Sequence, residues 1–139
     1  MTKNKLLNIN KRGLSIDFSW LAELEKIVIQ KYKLKKQISI ALVDAKEITN
    51  LNQVYRQKNK VTDVLSFVLD DDYILGEVLI CLSQARRQAK EKNNTYKAEL
   101  QLLTVHGILH LLGYDHEINN KEAKKQERVE QEILSKLNK

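Results

Sequence analysis

The stretch 106–116, HGILHLLGYDH, contains all three histidines of the 139-residue chain. His106 and His110 are four residues apart, so on an α-helix they lie on one face, about one turn from each other. Gly113 follows where a helix needs a left-handed residue to end, and glycine takes that conformation without a Cβ clash. Beyond it the chain can turn back and bring His116 towards the other two. Three imidazoles around one point, with a fourth position open, are typical of a catalytic zinc site.

Two core histidines are the alternative to a metal site. The neighbouring residues are so apolar that we expect a buried helix: Leu102, Leu103, Val105, Ile108, Leu109, Leu111 and Leu112. An imidazole buried without a polar partner costs about 1–3 kcal/mol. A metal ion would satisfy both rings at once, so the spacing favours a metal site.

The composition is that of a soluble protein with one substantial core. No apolar run is long enough for a signal peptide or a membrane span, so we expect neither. The single cysteine, Cys81, excludes an internal disulfide and fits a reducing cytoplasm, and its apolar neighbours favour a core position. A formal net charge of +6 is compatible with nucleic acid binding, although a solvated lysine-rich surface explains it equally well.

The pattern of apolar residues predicts the element order β-α-β-α-β-β-α-α-α and a single α+β domain over residues 1–139. The predicted strands are 5–10, 38–43, 63–69 and 74–82; the predicted helices are 19–32, 44–56 and 83–92, one that begins at residue 95, and 119–139. Strands joined through helices should be parallel, while the hairpin adds one antiparallel strand. We therefore expect a four-stranded mixed sheet with helices packed on it, and the metal site on a central helix and the following turn.

Local signals predict where several helices begin. Asp44 and Glu47 have the spacing of a capping box, while Ser83 and Thr95 are predicted caps of the third and fourth helices. The residues predicted to form the buried face of the second helix are Ile48, Leu51 and Tyr55.

The histidine pattern H-x-x-x-H-x-x-G-x-x-H has the ligand spacing of metzincin proteases. In those enzymes a glutamate follows the first histidine as general base, but here the residue is Gly107. A zinc site without that carboxylate can still polarise an oxygen and lower the pKa of bound water to about 7. It lacks the group that deprotonates water for attack on an amide, which disfavours peptidase activity.

A phosphodiester suits an open zinc site in a basic protein, provided that an arginine holds the phosphate. Arg56, at the predicted end of the second helix and beside the polar loop 57–60, is the candidate. On the residues alone, complementing the helix dipole explains Arg56 better. Asp115 could orient a histidine, handle a proton or cap the turn, and Glu99 is expected to pair with a lysine.

The chain resembles the YbeY family of bacterial endoribonucleases. The motifs that carry the resemblance are LNQVYRQK (51–58), TDVLSF (62–67), GEVLI (76–80) and above all HGILHLLGYDH (106–116). Further residues that fit are Glu99, Leu100, Glu127, Glu130, Ile133 and Leu134. The chain departs from the usual family residues at Val61, Glu77 and Gln126, which stand where proline, aspartate and methionine are usual; we expect none of the three to touch a metal ligand.

The resemblance implies a zinc-dependent endoribonuclease that prefers single-stranded RNA, and we expect neither DNA nor a membrane as a partner. It implies action on ribosomal RNA in the cytoplasm, in maturation of the 16S rRNA 3′ end and in 70S ribosome quality control, with the ribosome or its small subunit as partner. By position, His106, His110 and His116 would hold one Zn²⁺ per chain, and Arg56 would be the functional arginine. A zinc metallopeptidase-like hydrolase and a non-catalytic ribosome-binding module with structural zinc are the alternatives; a fourth protein ligand, such as Asp115, would favour the module.

Overall fold

Five helices and four strands occur in a computed structural model that describes residues 5–69 and 71–139. The strands are β1 (Leu7–Asn10), β2 (Gln37–Val43), β3 (Val64–Val68) and β4 (Ile74–Cys81). The helices are α1 (Leu21–Tyr32), α2 (Ala45–Arg56), α3 (Leu82–Glu91), α4 (Tyr96–Leu111) and α5 (Asn120–Leu137). This order is the predicted one. The link between β3 and β4 was predicted over 70–73, and Asp70 lies outside the described residues.

The four strands form one mixed sheet in the order β1-β2-β4-β3. β1 and β4 pair in parallel with β2, while β3 pairs antiparallel with β4 and lies at an edge. The predicted α+β fold with a four-stranded mixed sheet is therefore confirmed. No helix in the described part of the chain has the length and apolarity needed to cross a membrane.

The sheet separates two hydrophobic clusters, and β4 contributes to both. Val78 and Ile80 belong to the larger cluster, which also contains the buried residues of α1, α4 and α5. Leu79 and Cys81 face the smaller cluster beneath α2. This alternation follows from the period of two along a strand. Cys81 is fully buried, as its apolar neighbours predicted.

The central helix α4 is buried along most of its length, which leaves little of it for solvent. Thr95 caps it as predicted, because its hydroxyl accepts a hydrogen bond from the backbone N–H of Ala98 at 3.0 Å. Glu99 has no exposed surface and pairs with Lys92 Nζ at 2.9 Å, which is the lysine pair expected for it. His106 and His110 are half-buried within this otherwise apolar helix.

Two glycines let α4 lie directly on β4. A Cβ on Gly107 would come within 2.6 Å of Val78 Cγ1, and a Cβ on Gly76 would come equally close to Leu111 Cδ2. Residues 107 and 111 are four apart on a helix and residues 76 and 78 two apart on a strand, and both separations span about 6 Å. The two contacts therefore match in spacing and fix the position of the helix along the strand.

Two local predictions are wrong. Ser83 does not cap α3, because β4 runs directly into that helix and the N-cap residue is Cys81, without a side-chain cap. Tyr55 is 65% exposed and not part of the buried face of α2. The last turn of α2 lies by the edge strand β3, where the ring of Tyr55 meets the ring of Phe67 edge-on, with centroids 5.1 Å apart. The predicted capping box of Asp44 and Glu47 is present.

Candidate active site

A cavity of about 320 Å³ is lined by the three predicted zinc ligands and by the predicted functional arginine. Its walls come from the end of α2, the segment leading into β3, the last two turns of α4 and the turn after α4. The lining residues are Arg56, Thr62, Asp63, Val64, Ser66, His106, His110, His116 and Glu117. The fold thus brings residues from four segments to one concave surface.

A glycine-terminated turn brings His116 back to the helix. Gly113 has φ of +106°, the left-handed conformation predicted for it. Its N–H donates to the carbonyl of His110, and the N–H of Tyr114 donates to the carbonyl of Leu109, both at 3.1 Å. This is the Schellman pattern of a helix end. The chain then reverses, and the ring centroid of His116 lies 4.9 Å from that of His106.

The two helical histidines have different electrostatic surroundings. A hydrogen bond with the carboxylate of Glu130 on α5 raises the pKa of His106 above its ordinary value, and burial opposes the shift. Burial lowers the pKa of His110, and the positive charge of Arg56 lowers it further, while the carboxylate of Asp115 acts in the opposite direction. His116 is exposed on its turn. The cavity therefore presents two half-buried rings and one exposed ring.

Arg56 is the last residue of α2, which ends because Gln57 takes a left-handed conformation with φ of +57°. The following loop is tied back to the helix by buried Asn52, whose Nδ2 donates to the carbonyl of Lys60 at 3.0 Å. The guanidinium lies 3.4 Å from both carboxylate oxygens of Glu117, across the cavity mouth. That distance is long for a charge-assisted hydrogen bond, so the pair is a loose one.

Asp115 has a clear structural partner. Its Oδ1 accepts a hydrogen bond from the backbone N–H of Glu117 at 2.9 Å, which is the turn-capping role considered for it. Glu99 lies outside the cavity.

Gly107 points into the sheet rather than into the cavity. The position where its Cβ would stand is occupied by Val78, and its carbonyl accepts a hydrogen bond from Ser66 Oγ at 3.0 Å. A glutamate side chain at this position would clash with Val78 of β4 from its Cβ onward. The residue after the first histidine therefore cannot supply the general base of a peptidase in this fold.

Two residues of α5 contact His106 and had no assigned role in the sequence. Glu130 Oε1 lies 2.5 Å from His106 Nδ1, and Gln126 Nε2 lies 3.2 Å from the same nitrogen. The expectation that Gln126 would touch none of the three histidines is therefore wrong. Both α5 residues are 20 or more positions from His106, so no local spacing signals the contact.

The three histidine side chains of the cavity are of the kind that binds zinc, although their nitrogen atoms do not converge on one point in this structure. In the ranges 5–69 and 71–139, no three His, Cys, Asp or Glu side chains are arranged as they stand to hold a metal ion. The three imidazoles nevertheless line one cavity, and nitrogen donors of this kind are the usual ligands of catalytic zinc. The carboxylate of Glu130 is hydrogen-bonded to Nδ1 of His106, and a zinc-binding histidine usually has such a partner on the nitrogen that does not bind the metal.

Comparison with known proteins gives one consistent result. The sequence profile described as "Endoribonuclease YbeY" matches residues 5–138. Curated proteins of that name from Aquifex aeolicus and Carboxydothermus hydrogenoformans are 40% and 50% identical to the chain. The Aquifex alignment covers 86% of this chain and 91% of its relative, and the Carboxydothermus alignment covers 72% and 71%. The solution structure of TM1509 from Thermotoga maritima superposes with a TM-score of 0.68 at 31% identity, covering 94% of this chain and 88% of the other.

Proposed function

Because the chain belongs to the YbeY endoribonuclease family, we propose that it is a metal-dependent endoribonuclease that cleaves single-stranded RNA. Its substrate is ribosomal RNA, cut during maturation of the 16S 3′ end and during 70S ribosome quality control in the cytoplasm, with the ribosome or its small subunit as partner. The observation that carries the proposal is the cavity that gathers Arg56 with three histidines. A guanidinium and a set of nitrogen donors are what a phosphodiester and a zinc ion require.

His106, His110 and His116 are the proposed ligands of one Zn²⁺. A zinc ion held there would polarise a non-bridging phosphate oxygen and lower the pKa of a bound water to about 7. Burial lowers the pKa of His110, which favours the neutral imidazole that can offer a lone pair to a metal.

Arg56 binds the phosphate of the substrate. Its guanidinium offers parallel N–H donors that match two phosphate oxygens, which a lysine could not do. In the free protein Glu117 keeps the guanidinium over the cavity through the loose pair at 3.4 Å. An exposed pair of this kind is worth about 0.2–1 kcal/mol, so a phosphate can displace Glu117 at little cost.

The opposite wall of the cavity is held rigid. Asp63 Oδ1 accepts a hydrogen bond from the backbone N–H of Val64 at 2.8 Å. The hydroxyl of Ser66 donates a hydrogen bond to the carbonyl of Gly107 on α4. The first bond is local to the start of β3, whereas the Ser66 bond ties β3 to α4, the helix that carries His106 and His110. A rigid wall keeps the bound phosphate at one orientation relative to the histidines.

The test is cleavage of a single-stranded RNA oligonucleotide by zinc-loaded protein. Replacing a group that stabilises developing charge typically lowers kcat about 10²–10³-fold, so we expect that loss for Arg56→Ala and a larger one for His110→Ala. Lys58→Ala, on the exposed loop after Arg56, is the matched control and should keep most activity. Equal activity in all four proteins would identify a contaminating nuclease and overturn the proposal.

The same preparations separate the two alternatives. Cleavage of a denatured protein substrate, lost in His110→Ala, would support a metallopeptidase, although Gly107 leaves no base beside His106. Tight zinc and ribosome binding with no cleavage of any RNA would support a non-catalytic module. Duplex RNA and single-stranded DNA serve as the substrates that should remain intact.

A further inference from the structure

A buried polar pair on α5 supports His106 from behind. Glu130 and Gln126 are one helical turn apart, 7% and 1% exposed. Gln126 Nε2 donates to Glu130 Oε1 at 3.2 Å, and the same oxygen lies 2.5 Å from His106 Nδ1. One carboxylate oxygen therefore serves two donors from two helices.

The direction of these hydrogen bonds places a proton on Nδ1 of His106. An ionised carboxylate has no proton to give, so the contact with Glu130 requires that His106 Nδ1 carries the proton. Gln126 Nε2 then donates to Glu130 and not to Nδ1, although both lie at 3.2 Å from it. The neutral ring keeps its lone pair on Nε2, the nitrogen on the opposite side from α5.

The amide of Gln126 does not serve the stability of the fold alone, because one of its polar atoms is buried without a partner in the described part of the chain. Its Oε1 is buried and has no hydrogen-bond partner among the described residues. An unsatisfied buried acceptor destabilises the folded state, and a side chain without polar atoms would avoid this penalty. The amide nevertheless turns its NH₂ to the carboxylate, which keeps Glu130 anchored beside the ring.

We propose that Gln126 and Glu130 are positioning residues that hold His106 with its proton on Nδ1 and its Nε2 free for the zinc ion. The proposal rests on His106 being a ligand, as the proposed function has it. Glu130 sets the tautomer, and Gln126 acts through Glu130 by fixing its carboxylate. Neither residue is among those that line the cavity.

The direct test is the nitrogen NMR spectrum of the imidazoles in metal-free protein at alkaline pH. In wild-type protein we expect His106 to carry its proton on Nδ1. Glu130→Leu should release the ring to the Nε2-protonated form that free histidine prefers, whereas Glu130→Gln retains a carbonyl acceptor and should restore much of the wild-type tautomer. Glu127→Leu, at an exposed position of the same helix, is the matched control and should leave the spectrum unchanged.

Zinc affinity, measured by competition with a chromophoric chelator, is the second readout. Loss of the partner of a ligating histidine typically weakens binding about 10–100-fold, which we expect for Glu130→Leu. Gln126→Leu should weaken binding less, by about tenfold, while leaving the urea midpoint unchanged or higher. Gln131→Leu, exposed on the same helix, controls for the loss of an amide.

The outcomes separate this inference from the proposed function. Wild-type zinc affinity and an unchanged His106 tautomer in Glu130→Leu would overturn the positioning role, even if the protein cleaves RNA. A lower urea midpoint in Gln126→Leu with unchanged zinc affinity would make Gln126 a structural residue and overturn its part. A tautomer that responds to Glu130→Leu in a protein without nuclease activity would support the positioning role and count against the proposed function alone.

Discussion

At position 107, packing against the sheet determines which residue the histidine motif can contain. The sequence predicted that a zinc site of this spacing lacks its peptidase base, because glycine stands in place of glutamate. The structure gives a reason that the sequence could not: the position faces Val78, and even a methyl group would not fit there. A pattern of ligand spacing contains no information on which side of the helix the sheet lies.

Gly107→Ala should destabilise the protein by about 1–3 kcal/mol, the usual cost of forcing an extra methyl group into a packed core. The measurement is the urea midpoint followed by circular dichroism. Val78→Ala in the same chain removes the methyl group at 2.6 Å, so the double variant should be more stable than the sum of the two single losses predicts. Strictly additive losses would mean that the two residues do not contact each other.

Helix ends show which features of an element can be predicted locally. The caps at Asp44 and Thr95 were predicted because side chain and backbone partner lie within three residues of each other. Ser83 and Tyr55 were misassigned because the answer depends on a neighbouring strand: β4 continues directly into α3, and Tyr55 at the end of α2 packs beside Phe67 of the edge strand β3 and stays exposed. The contribution of α5 to the site is likewise a contact between elements and has no local signature.

A partly buried ion pair links the end of α3 to the start of α4. Glu99 is fully buried, and both of its oxygens accept hydrogen bonds from Lys92 Nζ. Lys92→Met would leave that carboxylate without its cation, so we expect a loss of about 1–3 kcal/mol in the free energy of unfolding. Glu99→Gln in the same chain removes the buried charge and should recover part of the loss. Equal stability of Lys92→Met and wild type would show that the pair contributes nothing.

At the scale of the whole molecule, the site is a product of the sheet order. β3 pairs beside β4 at the edge of the sheet. This pairing brings the end of α2 and the segment before β3 to the same cavity as the histidines of α4. The sequence predicted the fold class, the strand directions and the histidine cluster, since each follows from periodicity or a compact motif. The sequence assigned Arg56 to the site only through the family resemblance, because the residues at the end of a helix do not indicate which distant segment packs against that end.

Zinc should stabilise the whole fold, because an ion that binds the folded chain alone shifts the unfolding equilibrium. At a free zinc concentration of 100 times Kd the expected gain is about 2.7 kcal/mol. Differential scanning calorimetry with zinc and after chelation measures it. His110→Ala should melt at the same temperature in both conditions, and an equal zinc response in that variant would place the ion elsewhere.

The net charge of +6 predicts that RNA binding weakens as salt is added. On single strands each phosphate contact contributes about 0.7 to the slope of log affinity against log salt, so Arg56→Ala should flatten the slope by about that amount. Fluorescence anisotropy of a labelled oligonucleotide measures the slope. Lys26→Ala, on α1 and outside the cavity lining, removes the same charge and should leave the slope unchanged.

The matched glycine contacts between α4 and β4 also bear on how fast an ion could come and go. They hold the backbone of α4 against β4, so His106 and His110 project from a tightly packed helix, whereas His116 lies on an exposed turn that begins at Gly113. Release of the ion would then begin with His116 swinging outward. The time that the zinc ion stays bound should accordingly depend on how fast residues 113–118 open. Amide hydrogen exchange measures that opening rate, and we expect it to be faster in this turn than in α4.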